Sequence, residues 1–94
     1  MLVMILESTP ASLKGALSRW LIEPKSGVFL GNTSARVRDE LWTMVKAKCK
    51  KGSAIQIWND RSPQGYSYRF YGKPSRKMVD FEGIALVKIL RKER

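Results

Sequence analysis

The side chains able to do chemistry in this 94-residue chain are few in kind. One carboxylate, Glu7, closes the apolar run Leu2 to Leu6. A carboxylate at the end of a buried strand offers the hard oxygen that Mg²⁺ prefers, so Glu7 is the candidate metal ligand and the candidate catalytic acid. It fits equally an acid that precedes a helix and sits near its positive end. Metal-assisted phosphodiester cleavage usually needs a cluster of carboxylates; one is too few, and a symmetric pair of chains would supply two. The second kind is cationic. Lys14, Lys25, Arg36, Arg38, Lys73, Arg76 and Lys77 are spread along the chain, and counterion release rewards any surface that gathers such groups against a duplex. The third is aromatic: Trp20, Trp42, Trp58, Tyr66, Tyr68 and Phe70. Core or chain-to-chain packing accounts for most of them before base stacking does. Cys49 is the single cysteine and there is no histidine, so a zinc cluster, an internal disulfide and an imidazole-activated thiol are all excluded. Cys49 reads as a packed bystander.

The overall charge sharpens the second of these. Eighteen Lys and Arg face eight Asp and Glu, a formal charge of +10, with a pI near 10.2. Such a domain repels its own copies and attracts polyanions. Nucleic acid is the first expectation; an acidic membrane surface or protein is the second. No zinc finger or clear helix-turn-helix is present. The RFYG at 69–72 only echoes the stacking signature of an RRM. The expected recognition is therefore of backbone and shape rather than of base sequence. The N-terminal MLVMILESTP lacks a basic flank and is too short an apolar run for a signal peptide or a membrane span; with the free cysteine, a reducing cytoplasm is expected and no membrane partner.

These residues need elements to hold them. Leu2 to Leu6 is continuously apolar, as in a strand buried on both faces, and belongs mid-sheet. Thr9 offers an N-cap and Pro10 a first helical position. Leu13, Ala16, Leu17, Trp20 and Leu21 follow at helical spacing, and Pro24 closes that helix. Gly15 signals either a close approach or a tolerated neutral site. Val28 to Leu30 is β-prone and ends at Gly31. Asn32, Thr33 and Ser34 are N-cap residues for a second helix from about 34 to 50, with Val37, Leu41, Met44 and Val45 inward, Trp42 flanking, and Gly52 as its C′ residue. Arg36 and Arg38 in its first turns oppose the helix dipole, which points to an anion nearby. Residues 54–59 form a strand, 60–65 a loop of turn residues, and Tyr66 to Tyr71 a returning strand near a sheet edge. A basic loop, 72–78, precedes a last apolar run, Ile84 to Leu90, suited to pairing with another chain. This is one domain spanning 1–94, with no internal repeat or linker.

Periodicity leaves the strand order open. The strand ending LEST-P, the helix with Gly15 and Trp20-Leu21-Ile22-Glu23, the block GVFLGNTSARVRDELW, the strand IQIWND and the close YRFYGK…DFEGIALVKIL together resemble, over residues 2–90 and nearly without gaps, the small CRISPR-associated adaptation protein Cas two of subtype I-E. The central block is the most diagnostic piece. The resemblance implies an α+β fold, a ferredoxin-like βαββαβ sandwich with an antiparallel sheet and extra C-terminal strands. It implies an added short strand within about 21–25, paired on 28–31. It also implies a homodimer whose sheets pack together, with the segment from about 84 to 94 reaching the neighbour or docking the CRISPR integrase, Cas one.

In that family the dimer bridges integrase pairs and holds a short foreign duplex before its insertion into the CRISPR array. By position the resemblance assigns phosphate contacts to Lys14, Lys25, Arg36 and Arg76, with Lys77 sharing the role of Arg76. Ser12 and Ser75 stand where relatives carry arginine, so the phosphate pattern is shifted. Glu7 stands where many relatives have Asp, the acid proposed as the Mg²⁺ ligand of an endonuclease. The expectation is a non-catalytic DNA-binding scaffold of spacer acquisition. The competing expectations are a Mg²⁺-dependent nuclease, on RNA or double-stranded DNA, that uses Glu7 from both chains, and a basic RNA-binding ferredoxin-like domain.

Overall fold

The computed structural model describes residues 1–73. The run Leu2 to Leu6 forms the middle of the sheet, as its lack of polar alternation requires. Strand β1 (Leu2–Glu7) is followed by helix α1 (Ala11–Leu17), strands β2 (Ile22–Lys25) and β3 (Val28–Gly31), helix α2 (Ala35–Lys48), and strands β4 (Ser53–Asn59) and β5 (Tyr66–Tyr71). The five strands make one sheet in the order β2-β3-β1-β4-β5, every neighbouring pair antiparallel. This is the ferredoxin-like βαββαβ arrangement with β5 added by a hairpin at one edge.

Alternation along β1 divides its side chains between the two faces. Leu2, Met4 and Leu6 pack with Phe29, Leu13, Leu17, Leu41, Trp42, Val45 and Cys49 under the helices. Val3 and Ile5 pack with Ile55 and Ile57 on the other side, where neither described helix lies. The second helix is capped as expected: the Ser34 side chain accepts from the Val37 N–H at 3.2 Å, one of the bonds a helix start otherwise lacks.

Four local expectations are corrected. Helix α1 ends at Leu17, not at Pro24. Turn bonds from Trp20 N–H to the Leu17 carbonyl at 3.0 Å and from Leu21 N–H to the same oxygen at 3.0 Å tighten the chain, turning Leu21 into the core and Trp20 outward. Pro24 instead lies in the edge strand β2, where a missing N–H is tolerated. Thr9 does not cap α1: the residue at the cap is Pro10, with no side-chain bond, and the buried Thr9 hydroxyl has no partner. Trp42 is buried rather than flanking. Helix α2 ends with Lys50 in the left-handed region, φ 53°, two residues before Gly52. Gly52 serves a different need. A Cβ there would stand 2.5 Å from the Ser8 carbonyl oxygen and 2.6 Å from that of Glu7, so only glycine lets β4 start beside the end of β1. Gly15 has open space around its Cβ position, which favours tolerance over close approach.

Candidate nucleic-acid interface

The sheet register places side chains of opposite character on opposite faces. One row runs Ile22, Leu30, Val3, Ile57, Tyr68 across all five strands. The next runs Val28, Ile5, Ile55, Phe70. Both rows lie on the face without described helices, and both are apolar except at the β2 edge of the second, where Lys25 pairs with Val28. Their centre is buried, but their rim is open: Ile22 is 69% exposed, Tyr68 48% and Phe70 46%. Tyr68 meets Phe70 edge-on at 5.2 Å between ring centres and stacks on Tyr66 at 6.3 Å, so the rim is a continuous aromatic strip along β5.

Glu7 belongs to this face, at its end. It continues the series Val3, Ile5 and pairs in register with Ser53, whose buried hydroxyl has no hydrogen-bond partner. Ser8 follows with φ 56°, a left-handed conformation that costs a non-glycine residue energy and turns the chain sharply away from the sheet. As a Mg²⁺ site this is thin. No group of three or more His, Cys, Asp or Glu able to hold a metal occurs among the described residues. One carboxylate beside a serine does not fit a metal that wants several oxygen ligands.

The cations gather on the other layer and at its margins. Lys14 lies in α1, half-buried, and Lys25 ends the edge strand β2, exposed. Arg36 projects from the first turn of α2 with 88% of its side chain exposed, and meets Glu40 at 3.3 Å one turn on. Helices α1 and α2 pack into the same core, so Lys14 and Arg36 share the helical layer; Lys25 stands apart at the edge of the sheet. Arg76 and Lys77 lie outside the described residues, as does the run Ile84 to Leu90. The anion inferred near the start of α2 is in part internal, because Asp39 and Glu40 already answer Arg38 and Arg36.

One group of residues was missed by reasoning from sequence. Gln56 is fully buried in the middle of β4, on the helical face beside Met4 and Arg69 in the register. Its amide donates to the Arg38 carbonyl at 2.9 Å, and its oxygen accepts from Arg69 Nε at 2.7 Å. Arg69 Nη2 reaches Asp39 Oδ1 at 2.8 Å, and the same oxygen accepts from Arg38 Nε at 3.2 Å. The Arg38 guanidinium lies 4.3 Å from the centre of the Trp58 ring; that of Arg69 lies 5.2 Å from both Trp42 and Trp58. The Arg69 hydrogen bond, helped by Arg38 against a smaller cost of desolvation, holds the Asp39 carboxyl below its ordinary range. The signal available in the sequence was a glutamine between Ile55 and Ile57, and an arginine between Tyr68 and Phe70, at inward positions of neighbouring strands.

Cys49 is fully buried, and that burial raises its thiol pKa, as expected for a packing residue. No described helix is long and apolar enough to cross a membrane. Residues 1–86 match the family model described as CRISPR-associated protein (Cas_Cas2CT1978). The match takes in the whole described sheet, both helices and Glu7. The chain belongs to this CRISPR-associated Cas two family, and so to the proteins of CRISPR adaptation.

Proposed function

We propose that this protein is a DNA-binding scaffold of spacer acquisition: a homodimer that bridges subunits of the CRISPR integrase and holds a foreign duplex by its phosphate backbone. The observation that carries this reading is the separation of characters across one sheet. An apolar face with an open aromatic rim lies opposite a layer that carries Lys14, Arg36, Arg38, Lys46 and Lys48 on its helices. A chain with a formal charge of +10 resists self-association unless apolar burial outweighs the repulsion. The exposed rim of the apolar rows, Ile22, Tyr68 and Phe70, supplies that burial, and joining two copies there leaves both helical layers outward to meet polyanions. Lys14, Lys25 and Arg36 are assigned to phosphate, together with Arg76 and Lys77 beyond the described residues. The subtype I-E assignment, the integrase as partner and the cytoplasmic setting belong to the same proposal.

The test is co-purification with the integrase followed by capture of a labelled duplex across a range of salt. Arg36→Ala is expected to weaken binding about equally for all sequences and to lower the salt slope by about 0.9, one phosphate contact. An unchanged slope removes Arg36 from the interface. Preference for single-stranded RNA in competition would favour the RNA-binding alternative. The nuclease alternative requires Mg²⁺- or Mn²⁺-dependent cleavage that Glu7→Gln abolishes; a pure sample without cleavage disposes of it.

A further inference from the structure

The missed cluster on the helical layer has the makings of a binding site. Arg38 and Arg69 come from different elements, α2 and β5, yet both contact one oxygen of Asp39. Their positions are fixed before any ligand arrives. Each guanidinium lies against indole rings at the distances given above, and Arg69 is further tied to buried Gln56. A flexible surface arginine loses rotamer freedom on binding; these two have already lost it. An arginine has five N–H donors. Here Arg38 uses only Nε toward Asp39, so its two Nη groups have no side-chain or backbone partner among the described residues. Two guanidiniums around one exposed carboxylate leave a net charge of about +1 at the spot, with donors in the planar fork geometry that suits phosphate.

We propose that Arg38 and Arg69 form a phosphate-gripping site for the nucleic-acid backbone, and that Asp39 is an internal competitor occupying it when no duplex is bound. The proposal rests on the reading that the chain holds a duplex, and adds a contact pair to the positions assigned above. The two guanidiniums bind one phosphodiester between them, and the Asp39 carboxylate swings outward to water, which its exposure permits. No base edge is read, so the contribution is independent of sequence.

The experiment is a salt titration of duplex binding by the full chain, as wild type, Arg38→Gln, Arg69→Gln, Asp39→Asn, and the doubles Asp39→Asn/Arg69→Gln and Asp39→Asn/Arg38→Gln, each checked by thermal melting. Arg38→Gln and Arg69→Gln are each expected to lower the salt slope by about 0.9. Asp39→Asn is expected to tighten binding about fivefold, the scale of one exposed ion pair released. That gain should vanish in both doubles, since without either arginine there is no paired site to vacate. A general change in the protein's field would instead persist in the doubles, and that result overturns the proposal. So does wild-type binding with a steep slope that neither arginine variant alters, which would make the cluster a latch between β5 and α2. Should Arg69→Gln fail to fold, the Arg38→Gln background decides. If the wild type itself captures no duplex, the scaffold reading falls and takes this site with it; if it does and the gain persists in the doubles, only this site falls.

Discussion

The two faces of the central strand reach burial by different means. Beneath the helices, Met4 sits among Phe29, Leu13, Leu17 and Leu41, and the same layer admits a buried glutamine, two arginines and a carboxylate in a connected network. Across the strand, one residue on, Ile5 packs, among the described residues, with Val3, Ile55 and Ile57, with Met1, Leu30 and Tyr66 around them. The first face is closed by elements of the same chain and can hold polar groups because each finds a partner. The second is built mainly of aliphatic and aromatic side chains, with its polar groups at the margins: Glu7 and Ser53 at one end, Asn59 at the other and Lys25 at the β2 edge. A face with its polar groups only at the margins suits a partner of any register, as the proposed association would use it; a face with a fixed polar network suits one fold.

The largest test of that contrast compares neighbours in β1. Met4→Ala and Ile5→Ala each remove a fully buried side chain, so each should cost about 2–5 kcal/mol of stability. They should differ in what else they change. Met4→Ala leaves the dimer dissociation constant as in wild type, while Ile5→Ala raises it, read by sedimentation equilibrium alongside urea unfolding. Equal dimer constants in both variants would move the association surface away from this face.

Next in size is the rim. Tyr68→Ser with Phe70→Ser alters side chains already about half exposed, so the fold should lose little. The dimer should weaken by about tenfold or more, because each tenfold needs only about 1.4 kcal/mol, and two aromatic side chains bury enough apolar area at an interface to supply it. A sedimentation profile unchanged from wild type would move the association surface elsewhere.

On the helical face, Arg69→Gln is expected to cost about 1 kcal/mol by removing the charged donor to Gln56 and the tie to Asp39. It should leave dimerisation untouched. A change in the dimer constant here would show that the two faces are not independent, and the comparison would have to be redrawn.

How much of this was readable from residues follows from range. Strand β1 was legible because five consecutive apolar residues fit only a strand buried on both sides. Helix α2 was legible from a capping serine and a 3.6-residue repeat, both local. The edge strand β2 was not. Its four residues are all exposed and include a proline, so no period marks it, and only the family resemblance placed a strand there. The end of α1 was misjudged because Trp20 and Leu21 continue the helical spacing, although a turn carries Leu21 inward by another route. The phosphate positions Lys14, Lys25 and Arg36 were named from position in the resemblance, and nothing in the sequence said that they divide between a helical layer and a sheet edge. The Gln56 network was illegible for a further reason. Its bonds join residues 13, 18 and 30 apart in sequence, and only the strand register and the helix docking bring them together.

The smallest expected effect bears on whether that network is held by charge. In the folded chain the Asp39 carboxyl is kept below its ordinary value of 3.8, chiefly by the Arg69 hydrogen bond and then by Arg38. A carboxyl whose pKa is lower when folded binds fewer protons folded than unfolded near that pH. Its contribution to stability is therefore essentially complete above about pH 5, where both forms are ionised, and is lost as the pH falls through the folded value. Asp39→Asn has no such group, so wild type should exceed the variant in stability at neutral pH and converge with it on acidification. The gap should also narrow with salt, because Asp39 lies open to solvent and the pair is screened. Unfolding curves of the two proteins that stay parallel from neutral to acid pH would show that the Arg69 contact is geometric, held by Gln56 and the indoles. In that case the helical face would be fixed by packing alone, much as the apolar face is, and the contrast between them would reduce to which one is already covered.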